Sequence, residues 1–379
     1  MTRHLAPINY LAVEINNQPT TQTIPGWAMK LHTSKNIWYD WWHYGGIVRE
    51  VWLSVKNSIF IRRQQIATLI EGKVAVVRDS LFLENHSEQT LPVRITLKVY
   101  SEEGGPAVAA VGQRVSLTPG SQSETLNLHL DPVNLWDFDN PYLYRMEAGL
   151  EDAGGRRLDT HVERFGARIV EIRGRGLYLN GQRVRLSGMT RHETSPWEGL
   201  AETRGTMKHD YDEMKNLQAT LTRPVHYPQN PYILDYCDEN GILLIPEIPV
   251  WQFSDKQLAD PKVIALAEQM MGEMITQDFN HPSIFAWSVC NESATDTRAA
   301  KGLSAAVLGA GQPQIITQNP QQRAAGIDLQ AHRFSIKSEL KVLLHRTPPE
   351  VERMDGGRSA AISVSYRLSM TKAETLAVM

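Results

Sequence analysis

The periodicity of the apolar residues changes once along this chain, near residue 169, and that change limits what it can fold into. Before it, apolar residues alternate. Val93, Ile95, Leu97 and Val99 fall on one face, as do Leu126, Leu128 and Leu130, and then Tyr142, Tyr144, Met146, Ala148 and Leu150. Turn signals separate these runs at Glu103-Gly104-Gly105 and Asp152-Ala153-Gly154-Gly155. Period-two runs with regular turns predict an antiparallel β-sandwich over residues 61–168. Tyr10 to Ile15 alternates as well and reads as a half-buried strand, with a turn at Asn16-Asn17.

After residue 169 strands and helices take turns. Leu177 to Arg183 reads as a hairpin with Asn180-Gly181 at its tip. Val184–Met189, Ala219–Val225, Ile242–Ile248 and Ile284–Val289 are short apolar runs, the pattern of strands buried on both faces. Between them Met207, Tyr211, Met214 and Leu217 recur at helical spacing. Asn230, Pro231 and Gly241 fit the cap, first position and stop of a second helix. Asp260-Pro261 starts a third, with Val263, Leu266, Met270 and Met274 as its inner face. Alternating strands and helices imply a parallel sheet. The pattern fits a doubly wound sheet and a barrel equally.

Composition narrows the partners. The net charge is −3, from 39 basic and 42 acidic residues, which argues against a nucleic acid or an acidic membrane surface. No apolar run is long enough for a transmembrane helix, and Met1 to Tyr10 lacks the core of a signal peptide. Localisation stays open, with the cytoplasm favoured. Cys237 and Cys290, the two cysteines, each fall in a buried element and are expected to be reduced thiols. No metal or cofactor motif is present, and the oligomeric state is not legible.

The densest chemistry lies at Asn280 to Glu292: Asn-His-Pro-Ser-Ile-Phe-Ala-Trp-Ser-Val-Cys-Asn-Glu. Pro282 ends a helix, an apolar run follows, and Asn291 and Glu292 stand at the run's C-terminal end. A strand-end Glu is either a solvated acid or a partly desolvated one able to donate a proton. A second dense stretch, Trp38 to Leu53, packs aromatics around Gly45-Gly46 and suits a sandwich core or a sugar-stacking surface.

These residues resemble glycoside hydrolase family 2, the family of β-galactosidases, β-glucuronidases and β-mannosidases. Asn-His-Pro-Ser-Ile, Trp-Ser and Asn-Glu are similar to its acid/base signature, and the likeness runs over roughly residues 5–298. It implies the C-terminal part of a sugar-binding-like β-sandwich over 1–60, an immunoglobulin-like β-sandwich over 61–168, and the first half of a TIM (β/α)8 barrel over 169–298. On this reading Glu292 is the catalytic acid/base. The resemblance implies sugar contacts from Asp40, before the Gly-Gly-Ile-x-Arg element, from His192 in Arg-His-Glu, and from Arg223 and His226 in Arg-x-x-His-Tyr-Pro. Asn291 belongs to the same set. Trp251, after a Glu-x-Pro element, is a candidate to stack on a sugar or to pack in the core. Asp40 is expected near Asn291 and His192 at the barrel mouth. Thr190 and Thr220 stand where the family usually has Asn.

The implied activity is retaining hydrolysis of terminal β-glycosides, β-galactosides or β-glucuronides first. It needs a second carboxylate as nucleophile. Glu339, Glu350, Glu352 and Glu374 are the only later glutamates, and none ends an apolar strand. All nine tryptophans precede residue 288. Residues 299–379 are therefore expected to be a tail unrelated to the family, and the chain a fragment truncated at both ends that turns over no β-glycoside. The alternatives are a non-catalytic carbohydrate-binding remnant and a non-functional gene fragment.

Overall fold

The computed structural model describes residues 12–27, 41–174 and 176–293 and the backbone of 367–369. The tail expected over 299–379 lies outside them apart from β15 (Arg367–Ser369), which runs parallel to β1 (Trp52–Ser54).

Two antiparallel sheets face each other in the N-terminal half. One has the order β2-β3-β6, from Ile59–Glu71, Val74–Asn85 and Gly120–Leu130. The other has the order β5-β4-β7-β8, from Ala109–Leu117, Leu91–Ser101, Tyr144–Asp152 and Arg157–Phe165. The alternation dictates this packing. Ile95, Leu97, Val99, Met146, Ala148 and Leu150 are fully buried between the sheets with Val77, Leu81 and Leu83 of β3. Each such aliphatic side chain contributes about 1.5–3 kcal/mol on burial.

The expected strand at Tyr10 to Ile15 does not form over its described part. Residues 12–15 have no strand, and Val13 and Ile15 are 54% and 45% exposed. An alternating run needs a sheet to bury its apolar face, and no described element covers this one. Over residues 1–60, where a sandwich is expected, the described residues hold the strand β1 and the first two residues of β2.

Three short strands follow the sandwich: β9 (Val170–Arg173), β10 (Gly176–Leu179) and β11 (Gln182–Val184), antiparallel in the order β11-β10-β9. Asn180 (φ 52°) and Gly181 (φ 79°) form the β10–β11 turn, the left-handed pair a two-residue hairpin demands.

The parallel unit comes next. β12 (Gly188–Arg191), β13 (Leu221–Pro224) and β14 (Leu243–Leu244) lie side by side in chain order. The first begins four residues later than the apolar run suggests, because Gln182 and Val184 are taken by the hairpin. A fourth segment joins through single parallel bridges, Leu244 to Ile284, Glu247 to Ser288 and Trp251 to Asn291, rather than as the continuous strand expected over Ile284–Val289. The described residues form no closed barrel.

The helices are α1 (Arg204–Asn216), α2 (Pro231–Asn240), α3 (Asp255–Leu258) and α4 (Pro261–Asp278). The expected caps hold: the Asn230 side chain accepts from Tyr232 N, and Asp260 from Lys262 N. Gly241 (φ 63°) stops α2 in the left-handed region, where a Cβ would come 2.4 Å from Phe138 O. Two faces differ from expectation. Leu217 caps α1 and is 60% exposed, since the helix ends one residue before it. The inner face of α4 is Val263, Ala267, Met271, Met274 and Ile275, with Leu266 and Met270 flanking it. Successive four-residue steps, not three, keep this face on the sheet. No helix among the described residues is long and apolar enough to cross a membrane.

Candidate active site

The C-terminal ends of the four parallel segments bring together most of the residues singled out in the sequence. Arg223, on β13, reaches across the next two segments. Its guanidinium donates to Glu247 Oε2 and, at 3.0 Å, to Asn291 Oδ1. Glu247 is fully buried. Its Oε1 lies 2.5 Å from His226 Nδ1, and Ser288 Oγ donates to Oε2 beside Arg223. A carboxylate only accepts, so His226 carries a proton on Nδ1. Burial pushes the Glu247 carboxyl up, but the His226 hydrogen bond and the Arg223 charge outweigh it and hold the carboxyl below its ordinary range. Arg223, expected to contact sugar, is thus engaged with the Glu247 carboxylate and Asn291.

Glu292 stands at the rim. Its φ is 47°, a left-handed conformation that non-glycine residues seldom adopt. Gln252 Nε2 donates to its Oε2 at 3.0 Å. The sequence leaves a solvated or a partly desolvated acid open, and here the residue is exposed. The backbones beneath are zipped together. Asn291 N donates to Val250 O, and Gln252 N to Asn291 O, both at 2.9 Å.

An aromatic cluster closes one side. The Trp41 ring is stacked on His192, with centroids 5.9 Å apart and planes 27° apart. It also meets His226, Tyr227 and Trp251 at 5.6–5.8 Å. Trp251 is 2% exposed and receives Trp41 edge-on, so it forms a wall of this cluster rather than an open platform. Asp40 lies outside the described residues; its neighbour Trp41 reaches the strand ends.

Arg49 of the Gly-Gly-Ile-x-Arg element fastens this segment. It donates twice to Glu193, at 3.2 and 3.0 Å, and to Pro228 O at 2.7 Å. Glu193 also accepts from Asn230 N at 2.6 Å. Burial raises the Glu193 carboxyl in spite of Arg49. Trp41, Arg49 and Gln252 were not among the expected site residues. Arg49 was visible in its motif, and Trp41 fell in the aromatic stretch Trp38 to Leu53 without being singled out within it; Gln252 gave no signal, because a lone amide side chain looks alike in a core and in a site.

The first residues of the Asn280–Glu292 stretch do something else. Asn280 Oδ1 accepts from Ile66 N at 2.9 Å, and its Nδ2 donates to Gln64 O at 3.2 Å, so it caps onto sandwich strand β2. His281 Nδ1 lies 2.6 Å from Asp238 Oδ2. Ser283 N and Oγ donate to Asp238 Oδ1 at 3.0 and 2.5 Å. Pro282 packs on Gly166, where a Cβ would come 2.8 Å from its ring. Arg168, fully buried, donates to the carbonyls of Pro282 and Ile284. Four residues of the signature thus build the joint between the sandwich and the parallel unit, and only Asn291 and Glu292 reach the rim.

Asp235, Asp238 and His281 bring three possible metal-ligand atoms within 4.8 Å of one another. They lie at the joint, where Asp238 is engaged by His281 and Ser283, and Asp235 by Arg164 at 2.6 Å. Cys237 is buried and Cys290 half-buried, both as free thiols.

The described residues thus hold a β-sandwich followed by a parallel strand–helix unit with polar groups at its strand ends. Residues 59–168 match the family model described as glycosyl hydrolases family 2, and residues 170–311 match that family's TIM barrel domain. The chain belongs to glycoside hydrolase family 2. It is 34% identical over 269 residues to a β-galactosidase of Thermoanaerobacterium thermosulfurigenes, covering 70% of this chain and 37% of that protein. It is 27% identical over 305 residues to a β-glucuronidase of Paenibacillus borealis, covering 76% of this chain and 48% of that protein. Among solved structures, a β-galacturonidase of this family from Eisenbergiella tayi bound to galacturonate aligns with a TM-score of 0.68 and 25% identity, over 79% of this chain and 52% of that one. The chain spans less than half the length of both curated relatives.

Proposed function

We propose that the chain carries the acid/base side of a retaining glycosidase site for terminal β-galactosides or β-glucuronides. The relatives' names support that substrate class. The domain reading goes with it: sugar-binding-like sandwich over 1–60, immunoglobulin-like sandwich over 61–168, the first half of a (β/α)8 barrel over 169–298, and a separate tail over 299–379. The observation that carries the proposal is the Arg223–Glu247–Asn291 network set beside an exposed Glu292 at the strand ends.

In this mechanism Glu292 protonates the leaving glycosidic oxygen and then takes a proton from the attacking water. Arg223 fixes Oδ1 of Asn291, leaving the amide nitrogen as the end that donates to a sugar hydroxyl. Glu247 holds His226 by Nδ1, which orients the imidazole. His192 and Asp40 complete the sugar contacts, and Trp251 backs them. Glu193 is engaged by Arg49, and Glu247 by Arg223 and His226. With Glu193 and Glu247 so engaged, none of the described strand-end carboxyls is assigned as the nucleophile, and neither is any glutamate of the tail.

The test is hydrolysis of nitrophenyl β-galactoside and β-glucuronide, which this chain is expected not to turn over. In a version supplied with a complete barrel, Glu292→Gln is expected to be slower than its parent by about 10²–10⁴-fold, with azide restoring the rate on a good leaving group. Equal rates in that pair would remove Glu292 from the mechanism. A second reading, carbohydrate binding without turnover, is favoured by the engagement of Glu193 by Arg49 and of Glu247 by Arg223 and His226. Calorimetry with galactose and glucuronate on the same samples separates the two: binding with no hydrolysis assigns the second.

A further inference from the structure

We propose that Trp197 is a specificity-determining residue of the sugar site, a platform on which a ring on the leaving side of the glycosidic bond stacks, either a second pyranose or an aryl group. The proposal rests on the reading of the strand ends as a sugar site. Trp197 stands in the loop between β12 and α1, which leaves the C-terminal end of its strand, the side where the site residues gather. It is 93% exposed. A single exposed apolar side chain is ordinary on a protein surface. Two features set this one apart.

First, the loop is tied on both sides of the ring. Ser195 N donates to Gly199 O at 3.2 Å, and Gly199 N returns to Ser195 O at 3.0 Å. Glu198 N donates to Ser195 Oγ at 3.0 Å, and the Glu198 carboxylate accepts from Thr203 N at 3.1 Å. Trp197 therefore stands at the tip of a closed turn, an arrangement that holds a ring ready for a ligand. Second, the exposed ring has company that leads to the site. Trp42 and Tyr44 are 72% and 45% exposed. Their neighbour Trp41 is stacked on His192, and the Tyr44 ring lies against Gly199, where a Cβ would come 3.0 Å from it. Segment 41–44 and loop 192–199 thus touch at two points, and between them they carry three exposed aromatic residues beside the Trp41–His192 stack. The exposed large apolar residues of these two segments are all aromatic, with no aliphatic among them. Flat rings suit stacking on another ring. Three side chains are few for a stable protein interface, which takes about 20–30 residues a side.

The experiment is calorimetry on the full chain with the methyl and phenyl β-glycosides of galactose and glucuronate, and with lactose. The wild type is expected to bind phenyl glycosides and lactose more tightly than methyl glycosides. Trp197→Ala is expected to cut that preference by about 3–10-fold, the size of one aromatic contact, and Trp197→Phe to restore most of it. The Trp197 indole N–H resonance, assigned by Trp197→Phe, is expected to shift with a phenyl glycoside and to stay in place with the methyl one. Loss of preference for lactose and phenyl glycoside together assigns the platform to rings of both kinds; loss for the phenyl glycoside alone narrows it to aryl groups. A wild type without the preference, or a preference unchanged in Trp197→Ala, overturns the proposal. So does an oligomer that Trp197→Ala dissociates while every glycoside affinity stays the same. Failure of the sugar-site reading shows separately, as methyl glycoside affinities untouched by Asn291→Ala.

Discussion

At the scale of single residues, Arg223 and Asp79 show how context decides what a buried charge does. Arg223 serves two segments at once, and Glu247 beneath it is fully buried. Arg223→Leu leaves that carboxylate with His226 and Ser288 only. The expected loss of stability is about 3 kcal/mol, the size of a broken buried ion pair. Arg223→Lys recovers part of it, since one ammonium cannot reproduce the planar fork. Urea unfolding of both variants measures this, and an unchanged midpoint in Arg223→Leu would contradict the network. Asp79 is the opposite case. It lies on the inner face of β3, fully buried, and neither carboxyl oxygen accepts a hydrogen bond among the described residues. Burial, and then the charge of Glu163, pushes its carboxyl well above the ordinary range. The folded protein therefore holds this proton more tightly than the unfolded chain. Its contribution falls as pH rises above about 4, where the unfolded carboxyl ionises. Asp79→Asn is expected to flatten that slope and to be more stable at neutral pH by about 1–3 kcal/mol. Parallel pH–stability curves for the two proteins would refute it.

At the scale of elements, the sequence was most legible where one rule acts alone. The sandwich strands follow from alternation, and α2 from its cap, proline and glycine. Legibility failed where tertiary packing selects among several local solutions. The inner face of α4 is the instance: Val263 and Met274 fit either a three- or a four-residue step, and only the neighbours choose Ala267 and Met271 over Leu266 and Met270. Thermal or urea unfolding tests that choice. Met271→Ala should be destabilising by about 2–5 kcal/mol, and Met270→Ala by distinctly less; equal losses would return the face to the one read from the sequence. The site divides in the same way. Glu292, Asn291, Arg223 and His226 stand out through their motifs. Gln252 emerges only from a distance between two segments 40 residues apart.

At the scale of the whole molecule, the joint between sandwich and parallel unit is sensitive to pH. Burial lowers the His281 imidazole, but the charge of Asp238 and their hydrogen bond outweigh it and raise it to about 9. A group raised above its unfolded value of about 6.5 adds stability that is full below that pH and is lost as pH climbs towards about 9. The loss amounts to about 3 kcal/mol for this one group. His281→Gln should be weaker at pH 6 and should lack that decline; a variant with the wild-type slope would assign the dependence elsewhere.

Gly166 sits against Pro282 with no room for a methyl group, and Arg168 holds the carbonyls on either side of Ser283. The segment that ends in Glu292 is thus suspended from the sandwich at its start. Seen mechanically, the sandwich is a bracket, and the Glu292 carboxyl is the tip of an arm bolted to it about ten residues away. A protein engineer who trims this chain to its parallel unit would remove the bolt along with the bracket. The arm would then be free to swing, even with every residue at its tip intact.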